Sequence, residues 1–297
     1  MNIKYDITGE LEGKPIKQVL KNHLGLSERL IKKLKYDSKI LCNGTPVFVN
    51  HIVHQGDSIE VRVEFVEESE HVAPENIDID IIFEDDCLIA INKQPNMVVH
   101  PTTGHQSGTV ANALMHHFNH KGLSIKVRPV SRLDRDTSGV ILFAKNQFVQ
   151  DALIRQMAAK VFLKEYVGVV YGKMAQEHGT INLPIERKPG SIMLRQVSPQ
   201  GAPSVTHYEV IDPLKDATFL RFRLETGRTH QIRVHCQAIG HPLVGDTLYC
   251  DISSPCIGRQ ALHSLRTSFI HPASNSPIEL FAAIPQDIQS LLEILKK

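Results

Sequence analysis

The chain reads as an α+β protein: a large, mostly antiparallel mixed β-sheet flanked by helices, preceded by a small α+β module. Three observations predict this. From Ile79 onward, apolar runs of strand length alternate with stretches of helical periodicity. Leu220, Phe222 and Leu224 alternate with Arg221, Arg223 and Glu225, the pattern of a half-buried strand. Charge is also sorted along the chain. Eight Lys/Arg fall between Lys14 and Lys39, and nine Asp/Glu with no Lys or Arg lie between Glu67 and Asp86, which marks a boundary.

Residues 1–66 form the first module. Ile16, Val19, Leu20 and Leu24 recur at helical spacing, and Gly25 stops that helix. Ser27 is an N-cap for a second helix that turns Leu30, Ile31 and Leu34 inward. Arg29, Lys32, Lys33 and Lys35 cannot all face the core, so one side of this helix presents cations. Strands are expected at 40–42, 47–49 and 59–63, with Asn43-Gly44 as a hairpin signal between the first two. Residues 67–79 are acidic, carry Pro74, lack periodicity and read as a linker. Residues 80–297 form the second domain. Its strands are read at 88–91, 139–144, 166–171 and around Phe222, and its helices at 110–118, 147–160 and from Pro285 to the end, where Ile288, Leu291, Leu292 and Leu295 face inward.

Length and composition narrow the function. A chain of 297 residues with 42% hydrophobic and 22% charged content carries about two globular domains. No apolar run approaches the roughly 18 residues of a membrane span. The start, Met1-Asn2-Ile3-Lys4-Tyr5-Asp6, has no apolar signal region, so a cytoplasmic location is expected. The five cysteines (Cys42, Cys87, Cys236, Cys250 and Cys256) are odd in number and form no Cys-x-x-Cys pair. Reduced thiols are expected, with neither a disulfide framework nor a zinc site. His116, His117 and His120 read as helix-surface residues rather than metal ligands. No Walker loop or GxGxxG appears, and a monomer is the default.

The chemistry concentrates in two blocks. Asp134 sits in Val130-Ser131-Arg132-Leu133-Asp134-Arg135-Asp136-Thr137-Ser138-Gly139, with an arginine on either side. The second block is Thr226-Gly227-Arg228-Thr229-His230-Gln231-Ile232-Arg233-Val234-His235, read as a turn followed by a cationic strand. A carboxylate held by cations stays ionised at neutral pH, and arginines pair with phosphate as readily as with carboxylate. The pair therefore suits a nucleophile that handles a polyanion. Either block alone fits a surface ion-pair network or a turn before a strand; their meaning lies in occurring together, in order, with four more segments. These are Ile91-Asn92-Lys93-Gln94-Pro95-Asn96-Met97-Val98-Val99-His100-Pro101, Lys164-Glu165-Tyr166, Gly240-His241-Pro242-Leu243-Val244-Gly245-Asp246-Thr247-Leu248-Tyr249, and Gln260-Ala261-Leu262-His263 with His271-Pro272 behind.

Taken in order, these segments resemble the RluA-type family of pseudouridine synthases, from about Ile79 to Pro285. The first module resembles an S4 RNA-binding domain through Ser27-Glu28-Arg29-Leu30-Ile31-Lys32-Lys33-Leu34, Asn43-Gly44 and Gly56-Asp57-Ser58-Ile59. The resemblance implies isomerisation of uridine in RNA to pseudouridine, without metal or organic cofactor. It implies that Asp134 bonds covalently to the substrate nucleotide, with attack at C1′, attack at C6 and a glycal route all open. It implies that Arg233 pairs with Asp134, that Tyr166 stacks on the base, that Arg132 holds the flipped nucleotide, and that Leu262 walls the pocket. Arg228, and more weakly His230 and His235, are left between phosphate contact and internal hydrogen bonding, with a structural role preferred for both histidines. RNA is the implied partner, ribosomal before transfer RNA, with Arg29, Lys32 and Lys33 meeting phosphates. Two positions depart from the family: Ser131 stands where histidine is usual, and Lys93-Gln94-Pro95-Asn96 replaces Lys-Pro-x-Gly. Two alternatives are a non-catalytic RNA-binding or ribosome-assembly protein on the same fold, and a glycosidase pair of Asp134 and Asp136. The second leaves the basic module unexplained.

Overall fold

The structure, a computed structural model, describes residues 1–63, 72–102 and 104–297. The N-terminal module runs β1 (Asn2–Asp6), a 3-10 turn (Gly9–Leu11), α1 (Ile16–Asn22), α2 (Glu28–Tyr36), β2 (Ile40–Cys42), β3 (Thr45–Pro46) and β4 (Ser58–Arg62). Its strands pair antiparallel in the order β1-β4-β2-β3. Ser27 caps α2 as the sequence indicates, its Oγ accepting from Leu30 N at 3.3 Å, and Leu30, Ile31 and Leu34 are buried. Asn43 and Gly44 both take positive φ (50° and 79°), the backbone a two-residue hairpin requires. The strand expected at 47–49 does not form. Pro46 closes β3, Phe48 is 72% exposed, and Val49 gives its carbonyl to Lys17 N of α1 at 3.0 Å. The chain there bends onto a helix instead of extending the sheet.

The second domain follows as β5 (Asp80–Glu84), β6 (Leu88–Lys93), α3 (Val110–His120), β7 (Arg128–Pro129), β8 (Ser138–Ala144), α4 (Gln147–Ala158), β9 (Leu163–Tyr171), β10 (His178–Asn182), β11 (Ile185–Arg187), β12 (Arg195–Val197), β13 (Val205–Pro213), β14 (Ala217–Leu224), α5 (Gln231–Ala238), β15 (Leu262–Ile270), β16 (Pro277–Phe281) and α6 (Gln286–Leu295). The main sheet has the order β10-β13-β14-β9-β15-β8-β6-β5, with β16 against β15 and β7 against β8. Among the described residues every pairing in it is antiparallel except β15 with β8, which is parallel through His263↔Ser138 and Ser264↔Gly139. Gly139 makes this seam possible. It has φ 110°, and a Cβ there would lie 2.1 Å from the Ser264 carbonyl oxygen. β11 and β12 form a separate ribbon.

The segment 226–235 corrects the sequence reading. Gln231–Ala238 is a helix, not a strand. Ile232 and Cys236, four residues apart, pack into the core beneath the sheet, while Val234 packs with Ile185 and Tyr249 on the opposite side. A short helix buried on two faces mimics a period of two. Of the expected linker, 67–71 lie outside the described residues. Residues 72–79 form neither helix nor strand, yet they are tied to α3: Asn112 Nδ2 donates to the Ala73 carbonyl at 2.8 Å, and Glu75 accepts from Gly108 N at 3.0 Å. One continuous apolar cluster runs from α1 and α2 to Phe148, Val149 and Leu153 of α4. No helix among the described residues is long and apolar enough to cross a membrane.

Candidate active site

The loop between β7 and β8 holds Asp134 at a cavity of about 310 Å³, whose lining includes Arg132, Lys164, Tyr166, Arg228 and Leu262. The structure thus brings Arg132, Asp134, Tyr166, Arg228, His230, Arg233 and Leu262 to one cavity and leaves His235 outside its lining. Arg29, Lys32 and Lys33 lie apart on α2, where Arg29 and Lys32 are exposed and Lys33 half-buried; none lines the cavity. Glu225 is another carboxylate of the lining, but Lys160 and His207 occupy it at 2.5 and 2.7 Å. Asp136, the second carboxylate of the glycosidase alternative, pairs with its neighbour Arg135 at 3.0 Å and is absent from the cavity lining.

The Asp134 loop is pinned from below. Lys93, only 1% exposed, donates to the carbonyls of Gln94, Met97 and Arg135 at 2.7, 3.0 and 2.8 Å. Arg259 donates to the Asp136 carbonyl at 2.9 Å while its other nitrogens hold Asp287 of α6 at 2.6 and 3.0 Å. Gln260 donates to Thr137 Oγ1 at 3.2 Å. Three residues distant in sequence thus fix three consecutive residues after Asp134, which is how a loop acquires the rigidity of a scaffold. Sequence reasoning assigned none of them a role; the available signal was a lysine at the end of an apolar strand.

Burial pushes the Lys93 ammonium down to about 7, opposed by Asp136 and Asp134 and assisted by Arg259. Its unfolded value is near 10.4. Between those pH values the unfolded chain holds the proton and the folded chain has released it, so stability from this group rises with pH. Wild type should therefore gain urea resistance over Lys93→Met between about pH 7 and pH 10. A stability difference constant across that range would show that the carbonyl trio keeps the lysine charged.

Around the carboxylate, Arg233 Nη1 lies 3.5 Å from Asp134 Oδ2. Its stronger partner is Asp246, bound bidentately at 2.7 Å through both Nε and Nη2 and fully buried. This sharpens the expected Arg233–Asp134 pairing: the arginine is held by one aspartate and lends its remaining nitrogen to the other. His230, placed by a left-handed backbone (φ 58°), puts Nε2 3.8 Å from Asp134 Oδ1. Tyr249 Oη accepts from Arg195 N at 2.9 Å and lies 2.7 Å from His230 Nδ1. With that hydroxyl donating to Nδ1, the proton of the neutral ring sits on Nε2, facing the carboxylate. Burial lowers the His230 pKa against the pull of Asp134, which favours that neutral form. The preferred structural role suits His235, whose ring nitrogens bond Thr206 Oγ1 and the Leu183 carbonyl, both at 2.9 Å; His230 likewise bonds internally, to Tyr249, while its other nitrogen faces Asp134. Tyr166 is 5% exposed, with its hydroxyl bonded to Ser264; burial first, and then the Asp134 charge, raise its pKa, so it remains a phenol.

Among the described residues, two other side-chain groups have metal-ligand composition. In Asp85–Cys87–His271, His271 Nδ1 accepts from Ala273 N and Ser274 N at 3.3 and 3.1 Å, which leaves Nε2 protonated toward Asp85, 2.9 Å away. In Cys42–His51–Asp57, both Asp57 oxygens are taken at 2.8 Å by Asn43 Nδ2 and His54 N. His117 of the histidine run pairs with Glu84 at 2.9 Å.

A carboxylate beside an aromatic ring, in a cation-rimmed cavity on a mixed sheet, defines an enzyme that works on one extruded nucleotide of a polyanion. A profile of the RNA pseudouridylate synthase family matches residues 87–238, and the chain belongs to that family. It is similar to an uncharacterized RNA pseudouridine synthase, YjbO, of Bacillus subtilis, at 42% identity over 91% of this chain and 95% of that protein. It is 37% identical to ribosomal large subunit pseudouridine synthase D of Escherichia coli K12, over 91% of this chain and 86% of that one. The fold matches a solved human RNA pseudouridylate synthase domain containing 4, with TM-score 0.60 and 20% identity over 73% of this chain and 93% of that chain. The chain is thus an RNA pseudouridine synthase, an isomerase acting on uridine in RNA.

Proposed function

We propose that this enzyme isomerises uridines in ribosomal RNA, with Asp134 as the nucleophile. The observation that carries the residue assignment is the placement of the Asp134 carboxylate between Arg233 at 3.5 Å and His230 at 3.8 Å, in the cavity that Tyr166 lines. In the reaction the N1–C1′ bond breaks, the base turns, C5 bonds to C1′, and the C5 proton departs as N1 gains one. Asp134 supplies the electron pair for the covalent intermediate and takes it back as a carboxylate when that bond breaks before the product is released. Tyr166 stacks on the uracil, and its hydroxyl, bonded to Ser264, relays the C5 proton by passing its own proton on as it takes the new one. Leu262 walls the base, while Arg132 and Arg228 take phosphates of the flipped segment. Extrusion costs about a few kcal/mol, offset by that stacking and those contacts.

The first 66 residues act as an S4-like RNA-binding domain, joined through 67–79 to the catalytic domain at 80–297. Arg29, Lys32 and Lys33 of α2 meet phosphates independently of sequence. The enzyme works in the cytoplasm as a monomer and without metal. The ribosomal target is supported by the name and the 37% identity of the Escherichia coli relative. Carbodiimide mapping of pseudouridine in total RNA, from cells with and without the protein, tests this. Loss of a ribosomal site that the wild-type chain restores is expected. Loss confined to transfer RNA would overturn the ribosomal assignment, and no loss at all would favour a non-catalytic role.

A further inference from the structure

We propose that Lys164, facing Arg228 across Gly227, forms a subsite for a phosphodiester group of the RNA strand beside the target nucleotide. The inference rests on the RNA reading above and adds a residue to it.

Lys164 lies two residues before Tyr166 on β9, so both side chains leave the same face of the strand and line the same cavity. Its ammonium sits over the turn after β14: a Cβ on Gly227 would lie 3.4 Å from Lys164 Nζ. Arg228, the next residue, is exposed and bound only weakly, its Nε donating to the Pro203 carbonyl at 3.4 Å. Two cations thus flank a stretch of bare backbone.

Lys164 differs from the other inward cations of this domain. Lys93 has three carbonyls, Arg233 has Asp246, Arg259 has Asp287, and Lys145 has Glu84 at 2.9 Å. Among the described residues no carboxylate pairs with Lys164, and burial pulls its ammonium down. A half-buried ammonium without an anion is a standing cost to the fold. It is retained where a ligand brings the counter-charge. The ammonium lies at the Gly227–Arg228 turn on the cavity wall, placed for the backbone that runs past it.

The test uses the full-length chain and a fluorescein-labelled single-stranded uridine oligonucleotide, with affinity read by anisotropy between about 50 and 200 mM salt. Losing one phosphate contact to a single strand lowers the slope of log K against log salt by about 0.7, and weakens binding by about three- to tenfold in that range. Lys164→Met should show both effects and Lys164→Arg should show neither. Thermal melting supplies an independent readout. Because the unpartnered charge opposes folding, Lys164→Met should melt at or above the wild type while binding RNA less well. A merely structural lysine would give the reverse. A wild-type slope in Lys164→Met, with intact binding by the wild-type chain, would overturn this subsite alone. Failure of the wild-type chain to bind the oligonucleotide at all would overturn the RNA reading and the subsite with it.

Discussion

Asp134→Asn should abolish isomerisation while leaving RNA affinity within about twofold of the wild type. The amide is nearly isosteric but has no electron pair free to form the covalent bond, so at least about a thousandfold loss of turnover is expected. The loop itself should persist. The contacts that pin it, from Lys93, Arg259 and Gln260, go to the carbonyls of Arg135 and Asp136 and to the Thr137 hydroxyl, and none uses the Asp134 carboxylate. Purified variant and wild type should be compared on a transcript carrying the mapped uridine, with release of tritium from C5 as readout. Residual turnover above about one per cent of the wild type, in preparations free of host enzyme, would remove Asp134 from the nucleophile's place.

The second large effect concerns the partner the sequence did not indicate. Arg233→Met leaves the Asp246 carboxylate, fully buried, with its bidentate counter-ion gone. Breaking a buried pair from one side typically costs about 3–5 kcal/mol, so the variant should lose much of its stability as well as its turnover. Asp246→Leu should do the same from the other side. The double variant Arg233→Met with Asp246→Leu removes both charges and should recover a large part of that stability. It should not recover activity, because the nitrogen that reaches Asp134 belongs to Arg233. Denaturant melts of the four chains, run beside the tritium assay, separate the two roles. Full recovery of activity in the double variant would show that the arginine serves only the fold.

What the sequence disclosed depended on the kind of signal. Strands such as Ser138–Ala144 and Leu88–Lys93 were legible because continuous apolar runs leave little choice of state. The α2 cap was legible because Ser27 stands directly before an inward-facing stripe. Residue types at the site were legible for the same reason that any cluster of cations around a carboxylate stands out. Partnership was legible only in part. The Arg233–Asp134 contact came with the resemblance, but the stronger bond to Asp246 is set by the fold of α5 and the loop after it. The α5 helix was missed because Ile232 and Val234 are both buried, on opposite sides. That His230 also faces Asp134 was not legible, because the left-handed backbone that aims its ring leaves no trace in residue type. The 47–49 segment failed because its backbone is claimed by α1, a tertiary demand no local pattern records.

The pins beneath the Asp134 loop also set a timetable. Arg259 and Gln260 follow Asp134 by well over a hundred residues, and the Gly139 seam needs Ser264 of β15. A chain emerging from the ribosome displays Asp134 and Tyr166 long before the strand that braces them has been made. The nucleophile then sits on an unsupported loop, and contacts of such long range form late in folding. A nascent or C-terminally truncated chain should therefore be able to meet RNA through its basic first module without modifying it. Competence arrives only when β15 has joined the sheet and Arg259 and Gln260 reach the loop.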